Sequence, residues 1–448
     1  MKKNEDIVLT ILSSLLTFSA FASGLHIELG TASINLAQIT LLVLLFYLVL
    51  CSVGGRHTVP IFYKDNVSVF FYLFFFSNFV SSMFFADHRI QSLKGCASLL
   101  TYILIYTVAR SAMRVSLHPD LTLKRLIRYN IASASFGLIC MIVSIASGGV
   151  ENIGVSLGHL TVGVIGLDVI PPSIRSLAVE PNLFSIGTGT ILCLTLSRYL
   201  LGKRTVRDLS VIVLLSLAVL FSYTRSVYGA LVIAIVAMMI LSGRTSVLKT
   251  VVFYGGIIIF ILVVTGMFLP RSNPLRQALT ERVTTLFDFK GGTGGGRVAG
   301  YRIALEGFGN NPVMGNGTFS AETRIFNPYK GQYEERMGGA GWLTGSWIQS
   351  LHDTGVVGFA ILFTLFGFLL RSNYRLFKLL PPTDSNKSMV LGFIGGNLII
   401  IIASQLSSPL WTAFPYVYWG INMGFIAVCK EKIIQRTLSQ SPADFGKQ

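Results

Sequence analysis

Charged residues and cysteines are scarce in this sequence, and their scarcity excludes several classes of protein. Only 12% of the 448 residues are charged, whereas an ordinary soluble domain carries about 25%. A soluble domain of this length is therefore excluded. The cysteines lie in or beside apolar runs, which leaves no disulfide framework for an exposed loop; they are Cys51, Cys96, Cys140, Cys193 and Cys429.

The sequence also lacks the short motifs of several enzyme and transporter classes. It contains no Walker-type phosphate loop, no CxxC pair and no HExxH motif, so an energy-coupled pump is disfavoured. The glycine run 291–296 follows no predicted strand. It therefore predicts a flexible hinge or a mobile lid before a helix, and not a phosphate cradle.

Long apolar runs dominate what is present. A membrane span needs about 20 apolar residues, and about twelve such runs predict an all-α polytopic membrane protein with about twelve transmembrane helices. The predicted spans are 7–25, 34–54, 67–86, 96–112, 129–148, 182–201, 209–223, 225–242, 250–269, 347–370, 389–407 and 412–429. This divides the chain into helices in 1–269, a long polar loop in 270–346, and further helices with a tail in 347–448.

The positive charge follows membrane orientation. The net charge is +16, but the cations recur in short clusters at the ends of apolar runs. With a cytoplasmic N-terminus, most of them fall on the cytoplasmic side, as the positive-inside rule expects. The long loop is then outside, and nucleic acid is not an expected partner. An alternative interpretation of the first apolar run is a cleavable signal peptide, which changes no later loop.

The first of three outer segments with candidate functional residues precedes the sixth span. Glu180 comes directly before Pro181, where a helix is predicted to begin, and an acidic residue suits the positive end of a helix. A well-capped helix is the structural interpretation. Arg175 and Glu180 are the principal charges at this membrane edge, which favours a functional one.

The second outer segment is the short stretch 222–226 between two apolar runs. Its arginine, Arg225, lies at or just inside the membrane, which costs a few kcal/mol unless an anionic partner is present. A snorkelling interfacial cation is the alternative interpretation. Arg225 is predicted to face outward, against the usual charge bias, and this favours a functional role.

The third outer segment is the long loop. Its pattern predicts a helix followed by a turn, with Arg297, Tyr301 and Ala304 on one face by their three-to-four spacing. Arg297 is expected in the first turn, and Gly309 is expected to close the helix. Further charges follow at Glu322, Arg324, Glu334, Glu335 and Arg336, and then His352 and Asp353 lead into the tenth span.

In order and spacing, these segments resemble the O-antigen ligase and Wzy-type O-antigen polymerase superfamily of bacterial cell envelopes. The residues that carry the resemblance are Arg175…Glu180-Pro181-Asn182, Thr224-Arg225-Ser226, Arg297…Tyr301…Ala304…Pro312…Gly315-Asn316-Gly317 and Leu351-His352-Asp353-Thr354-Gly355…Gly358. Each motif alone is weakly specific, but together they extend over 175–358. The N-terminal third resembles the superfamily only as a set of membrane helices.

The resemblance implies a GT-C-like, inverting, metal-independent glycosyltransferase without a cofactor, in the bacterial inner membrane with its active site facing the periplasm. The implied donor is an oligosaccharide on undecaprenyl pyrophosphate, within the lipid bilayer. Guanidinium groups bind phosphate oxygens in a fork geometry and stay charged. Arg225 and Arg297, with Arg175 or Arg302, are therefore the expected pyrophosphate ligands, and Tyr301 is grouped with them.

One departure separates this chain from the ligases. Ligases resemble one another in a His-Asn pair eleven residues before the glycine corresponding to Gly355, where this chain has Thr344-Gly345. Without that histidine, Glu180 is the preferred acid or base, followed by His352 and Asp353. A His-Asp pair that packs against its own turn is the structural alternative for the last two.

The favoured function is a polymerase that joins lipid-linked repeat units of an O-antigen, capsule or exopolysaccharide. The first alternative is a ligase that transfers glycan to lipid A-core. A lipid-linked oligosaccharide flippase is a second alternative, although it would spread its cations through an intramembrane cavity. A polymer export channel is a weaker option. A polysaccharide chain-length regulator is a candidate partner.

Overall fold

The computed structural model describes residues 2–22, 26–29, 32–53, 63–115, 119–146, 154–157, 160–163, 165–166, 173–174, 176–178, 180–202, 204–244, 292–327, 332–340, 343 and 345–440. Two sequence predictions lie outside these residues: the ninth span, 250–269, and the candidate ligand Arg175.

Helices make up most of the described chain. They are α1 (Lys2–Phe21), α2 (Leu36–Val53), α3 (Asn66–Phe84), α4 (Arg89–Val115), α5 (Pro119–Ala146), α6 (Pro181–Leu201), α7 (Val206–Phe221), α8 (Arg225–Leu241), α9 (Gly292–Asn310), α10 (Ser346–Leu379), α11 (Ser385–Ala403) and α12 (Ala413–Gln440).

Each predicted span that falls on described residues corresponds to one of these helices, and α9 is the helix predicted within the long loop. Within the described residues, six helices are long and apolar enough to cross a membrane by length and composition alone. A polytopic membrane protein is thus confirmed. The exact number of spans stays a prediction.

Short strands lie in the connections between helices. They are β1 (His26–Leu29), β2 (Ala32–Asn35), β3 (Gly154–Leu157), β4 (Leu160–Gly163), β5 (Ile165–Gly166), β6 (Ser173–Ile174), β7 (Glu322–Asn327) and β8 (Gln332–Ala340). The first four form an antiparallel sheet in the order β2-β1-β4-β3, and the others pair as β5-β6 and β7-β8. In the last hairpin, Arg324 lies opposite Glu335. These segments were predicted as loops, except that the end of β2 falls within the predicted span 34–54.

Close helix packing depends on small residues. A Cβ atom on Gly420 in α12 would lie 2.5 Å from the carbonyl oxygen of Tyr106 in α4. On α11, a Cβ atom at Gly395 would lie 3.0 Å from the Cβ of Cys193 in α6. Small residues let helix backbones approach closely, which favours association where no hydrophobic driving force exists. These contacts fix α6, α11 and α12 beside the site described below.

The start of α9 corrects two predictions. The helix begins at Gly292, so most of the glycine run is helical and is not a hinge. Consequently Arg297 lies in the second turn and not in the first. Glycine costs only about 1 kcal/mol per helical residue relative to alanine, a weak preference that tertiary packing further along the helix overrides.

Candidate functional site

Several helix ends meet at one end of the bundle. The Ser226 hydroxyl, near the start of α8, lies 3.4 Å from the hydroxyl of Ser407, in the turn after α11. The backbone N–H groups of Ser346 and Trp347 donate to the carbonyl oxygens of Ser407 (3.0 Å) and Ser404 (3.3 Å). The N-termini of α8 and α10 therefore share this end. Unpaired N–H groups give each N-terminus a partial positive charge.

Arg225 begins α8 after a tight turn. Only residues 222–224 separate α7 from α8, as the short predicted connection required, and Tyr223 adopts a positive φ of 52° to close the turn. The N-cap residue Thr224 makes no side-chain capping bond to α8. The half-buried Arg225 therefore begins a helix whose own N-cap side chain does not cap it.

The predicted face of α9 is confirmed. Ala304 is 1% exposed and packs in a small core with Leu343 and Ile348 at the start of α10, and Tyr301 packs against that core. The Tyr301 hydroxyl also donates a 2.6 Å hydrogen bond to the carbonyl oxygen of Gln405, in the turn after α11. Arg297, one turn before Tyr301, is half-buried on the same side.

Glu180 directly precedes α6, which begins at Pro181 as predicted. Glu180 is the N-cap residue, but its carboxylate makes no capping hydrogen bond, so the group is not used to terminate the helix. Its surface is open to solvent, yet the protein atoms around it desolvate it enough to raise the pKa of Glu180, and Arg297 opposes this shift. A carboxyl with a raised pKa is suited to proton transfer.

The electrostatics of Arg297 tie the cluster together. Burial lowers the pKa of Arg297, the charge of Arg225 lowers it further, and Tyr301 and Glu180 oppose the shift. The fold thus brings Glu180, Arg225 and Tyr301 within electrostatic range of Arg297. Among the described residues, no carboxylate forms a salt bridge with Arg297. A half-buried guanidinium group that lies near a second cation, and that no carboxylate of the described residues pairs with, is suited to bind an anion.

Arg302 is not part of this cluster. Its side chain is exposed, and its Nε donates a 2.8 Å hydrogen bond to Glu306 Oε1 one turn along α9. The ion pair lies on the solvent side of α9, away from the face that carries Ala304.

His352 and Asp353 lie in another environment, two turns inside α10. Both are buried, with 4% and 0% exposure. Asp353 Oδ1 lies 2.8 Å from His352 Nδ1, and its Oδ2 accepts hydrogen bonds from the Phe319 backbone N–H (3.0 Å) and Gln349 Nε2 (3.3 Å). The pair thus bonds to a segment outside its own turn as well as within α10, and both the structural and the catalytic interpretation of His352 and Asp353 stay predictions.

Comparison with known proteins locates part of this site in a family region. A family model described as O-antigen ligase matches residues 210–411. The superfamily resemblance is confirmed. No curated protein matches the chain. Members of the O-antigen ligase family are membrane glycosyltransferase-like enzymes, and the match does not distinguish polymerase from ligase.

The O-antigen ligase family region contains Arg225, Arg297, Tyr301 and the His352-Asp353 pair, whereas Glu180 precedes it. Glu180 therefore lies outside the matched sequence, and the fold brings it within electrostatic range of Arg297 inside it. No group of three or more His, Cys, Asp or Glu side chains among the described residues is arranged to hold a metal ion.

The sequence analysis missed several polar contacts that shape this end of the bundle. Gln405 accepts the Tyr301 hydrogen bond through its backbone, so its side chain carries no signal. Asn316 bonds the end of α9. Its position between two glycines, Gly315 and Gly317, was the available signal, because such a stretch predicts a tight turn.

Proposed function

We propose that this protein is a polysaccharide polymerase that joins undecaprenyl-pyrophosphate-linked repeat units at the periplasmic face of the inner membrane. The observation that carries the proposal is the clustering of Arg225 and Arg297 with Glu180. A leaving group with several negative charges and a hydroxyl nucleophile need such a set of two cations and one base.

Arg225 and Arg297 bind the donor pyrophosphate. As the bond between the anomeric carbon and the phosphate oxygen breaks, its electron pair passes to that oxygen and the negative charge on the leaving group grows. Guanidinium groups fixed beside that oxygen stabilise the transition state more than the ground state. The N-terminus of α8, where Arg225 lies, adds a favourable partial charge.

Glu180 accepts the proton of the attacking sugar hydroxyl. Its raised pKa brings a carboxylate closer to the range in which a general base works well. The hydroxyl oxygen forms the new bond to the anomeric carbon on the face opposite the leaving pyrophosphate, so a single displacement inverts that carbon. Orientation of the two lipid-linked substrates supplies a further part of the rate enhancement.

A ligase is the second candidate, because the matching family model carries that description. Against it, Thr344-Gly345 replaces the His-Asn pair that ligases share. Donor chemistry is common to both reactions, and the acceptor distinguishes them: another lipid-linked repeat unit for the polymerase, and lipid A-core for the ligase.

The test uses purified full-length protein in lipid nanodiscs. Undecaprenyl-pyrophosphate-linked repeat units are supplied alone or together with lipid A-core, and products are separated by size. A ladder of longer glycans from the donor alone, with or without EDTA, supports a metal-independent polymerase. Glycan on lipid A-core without any ladder supports the ligase instead, and loss of turnover in EDTA contradicts the metal-free mechanism.

A further inference from the structure

The turn between α9 and β7, residues 311–321, is bound to the middle of α10. Asn316 makes the central contacts of this turn. The Asn316 side-chain Nδ2 donates to the carbonyl oxygen of Gly307 in the last turn of α9 (2.9 Å) and to that of His352 in α10 (3.3 Å). Its backbone N–H donates to the same His352 oxygen at 3.0 Å. One residue thus ties the end of α9 to α10.

Asp353 holds the same turn from the α10 side. Besides the carboxylate bond from the Phe319 N–H, its carbonyl oxygen accepts from the Gly317 N–H (2.9 Å) and from the Ser81 hydroxyl of α3 (2.6 Å). A fully buried carboxylate is costly unless it is well hydrogen-bonded. Here its bonds are directed at the turn and its neighbours, which indicates a structural use for the charge.

A kink in α10 makes room for this contact. Gly355 adopts φ 62° and ψ −163° inside the helix, and a Cβ atom there would lie 2.4 Å from the carbonyl oxygen of Val313. Val356 consequently donates its N–H to Pro312 in the turn (2.9 Å) and not to its own helix. The helix gives up part of its own hydrogen bonding to the turn.

The imidazole of His352 fills the remaining space between the two helices. A Cβ atom at Gly307 would lie 2.5 Å from both Cδ2 and Nε2 of this ring. The ring therefore packs flush against the backbone of α9, with Nδ1 beside Asp353. Its position is that of a spacer between α9 and α10.

Arg297 lies at the other end of α9. The ten residues from Arg297 to Gly307 extend about 15 Å along a helix. If α9 tilted by about 10° about its end at Gly307, Arg297 would therefore move by about 3 Å. A displacement of about 1 Å in a reacting group can cost about 100-fold in rate. A small tilt at the Gly307 end of α9 would therefore displace Arg297 far enough to slow the reaction.

We infer that Asn316 and Asp353 are positioning residues, which hold the end of α9 on the kink of α10 and so present Arg297 to the donor pyrophosphate. This inference rests on the proposed function of Arg297. Neither residue is required to touch the substrate or to transfer a proton.

A double-mutant cycle on binding tests the coupling. Full-length protein in nanodiscs is titrated with undecaprenyl pyrophosphate as the probe. We expect Arg297→Ala to weaken binding about 100-fold and Asn316→Ala about 10-fold, while the double variant binds no more weakly than Arg297→Ala alone. Asn316→Asp is the second variant, for use if Asn316→Ala folds poorly: it keeps the side-chain shape, replaces the Nδ2 donor with a carboxylate oxygen that faces two carbonyl oxygens, and should also weaken binding about 10-fold.

The matched control is Asn373→Ala. Asn373 is also buried in α10, and its Nδ2 donates to the Leu369 carbonyl oxygen at 2.8 Å, but it lies far from the kink. Its removal should leave the dissociation constant unchanged in both backgrounds. If Asn316→Ala still weakens binding about 10-fold in the Arg297→Ala background, the positioning role of Asn316 is overturned, while the proposed function of Arg297 stands. If Arg297→Ala itself binds normally, the proposed function of Arg297 falls, and this inference with it.

Turnover of Asp353 variants separates positioning from proton transfer. An asparagine at 353 keeps a carbonyl oxygen for the Phe319 N–H, whereas a leucine keeps no acceptor. We expect Asp353→Asn to retain at least about a third of wild-type turnover and Asp353→Leu to lose at least about 10-fold, mainly through weaker donor binding. Equal and complete loss in both variants, with normal donor binding, would contradict the inference.

Discussion

Arginines at the two ends of the helix bundle have contrasting surroundings. Arg110, towards the far end of α4, is 6% exposed. Its guanidinium pairs with Asp65, donates to the Ser68 hydroxyl (2.7 Å) and the Tyr106 hydroxyl (3.0 Å), and lies 3.8 Å from the centre of the Tyr63 ring. Protein groups thus surround the charge of Arg110.

Arg225 and Arg297 are half-buried, and the charge of Arg225 adds to the electrostatic cost of the charge on Arg297. Burial and Arg225 both act against the charged form of Arg297 and lower its pKa, and Tyr301 and Glu180 compensate in part. A buried cation with close anionic and polar partners contributes to structure. Arg297 is half-buried near another cation and forms no salt bridge with a carboxylate of the described residues, which is the setting expected of a cation that binds an anionic ligand.

The largest expected effect is the loss of polymer formation when Arg225 or Arg297 is replaced. Arg297→Ala or Arg225→Ala should lower polymer formation at least about 100-fold, because the leaving pyrophosphate loses a cation. Arg297→Ala should not lower the thermal unfolding temperature. Lysine at either position should rescue poorly, since it lacks the guanidinium fork.

Arg110→Ala is the matched comparison. It should destabilise the protein by about 2 kcal/mol, because Asp65 keeps a charge without its partner, and the surviving folded fraction should bind undecaprenyl pyrophosphate normally.

Near-normal polymer from both Arg297→Ala and Arg297→Lys would show that Arg297 is only solvated.

The next effect concerns Glu180. Its pKa is raised, so turnover should fall as the pH decreases through a value above the ordinary glutamate range near about 4.3. Over the same interval, protonation removes a negative charge beside Arg297, and donor binding should strengthen. Glu180→Gln should lower turnover at least about 100-fold at pH values where the wild-type carboxylate is ionised, should remove this pH dependence, and should not weaken binding.

The probe itself titrates, so the wild type and Glu180→Gln are compared across the same pH series. Because both proteins meet the same ligand, the difference between their dissociation constants isolates Glu180. Wild-type and variant binding curves that run parallel at all pH values, together with normal turnover of the variant, would remove Glu180 from the mechanism.

A smaller effect is expected at His352. Its ring packs against Gly307 and bonds to Asp353, so His352→Ala leaves a cavity and does not remove a base. Turnover should stay within about 10-fold of wild type, with a lower unfolding temperature. A dead His352→Ala beside an active Glu180→Gln would exchange the two roles.

The sequence predicts the helices and part of the site for physical reasons that these residues illustrate. Apolar length is a local property, so the bounds of α6 at Pro181 and of α8 at Arg225 follow from short stretches of chain. Spacing within one helix is equally local, and it places Arg297 and Tyr301 on one face.

Contacts between distant segments are not readable in this way. The hydrogen bonds from Asn316 to Gly307 and His352 depend on the kink at Gly355. No local sequence pattern predicts that this turn will contact this kink. The solvent side of Arg302 likewise depends on which face of α9 packs on α10. A helical spacing identifies a shared face, but it does not say which face is buried.

The smallest effect is expected for Arg302, on the solvent side of α9, which serves as a control. Arg302 lies on the same helix as Arg297 but is exposed and paired with Glu306 at 2.8 Å. Exposed pairs four residues apart contribute only about 0.3–0.5 kcal/mol. Arg302→Ala should therefore change stability by less than about 0.5 kcal/mol and turnover by no more than about twofold, measured in the polymer assay. A tenfold loss of turnover with normal stability would return Arg302 to the pyrophosphate ligands that the sequence predicts, and would mean that α9 turns this face towards the donor when it binds.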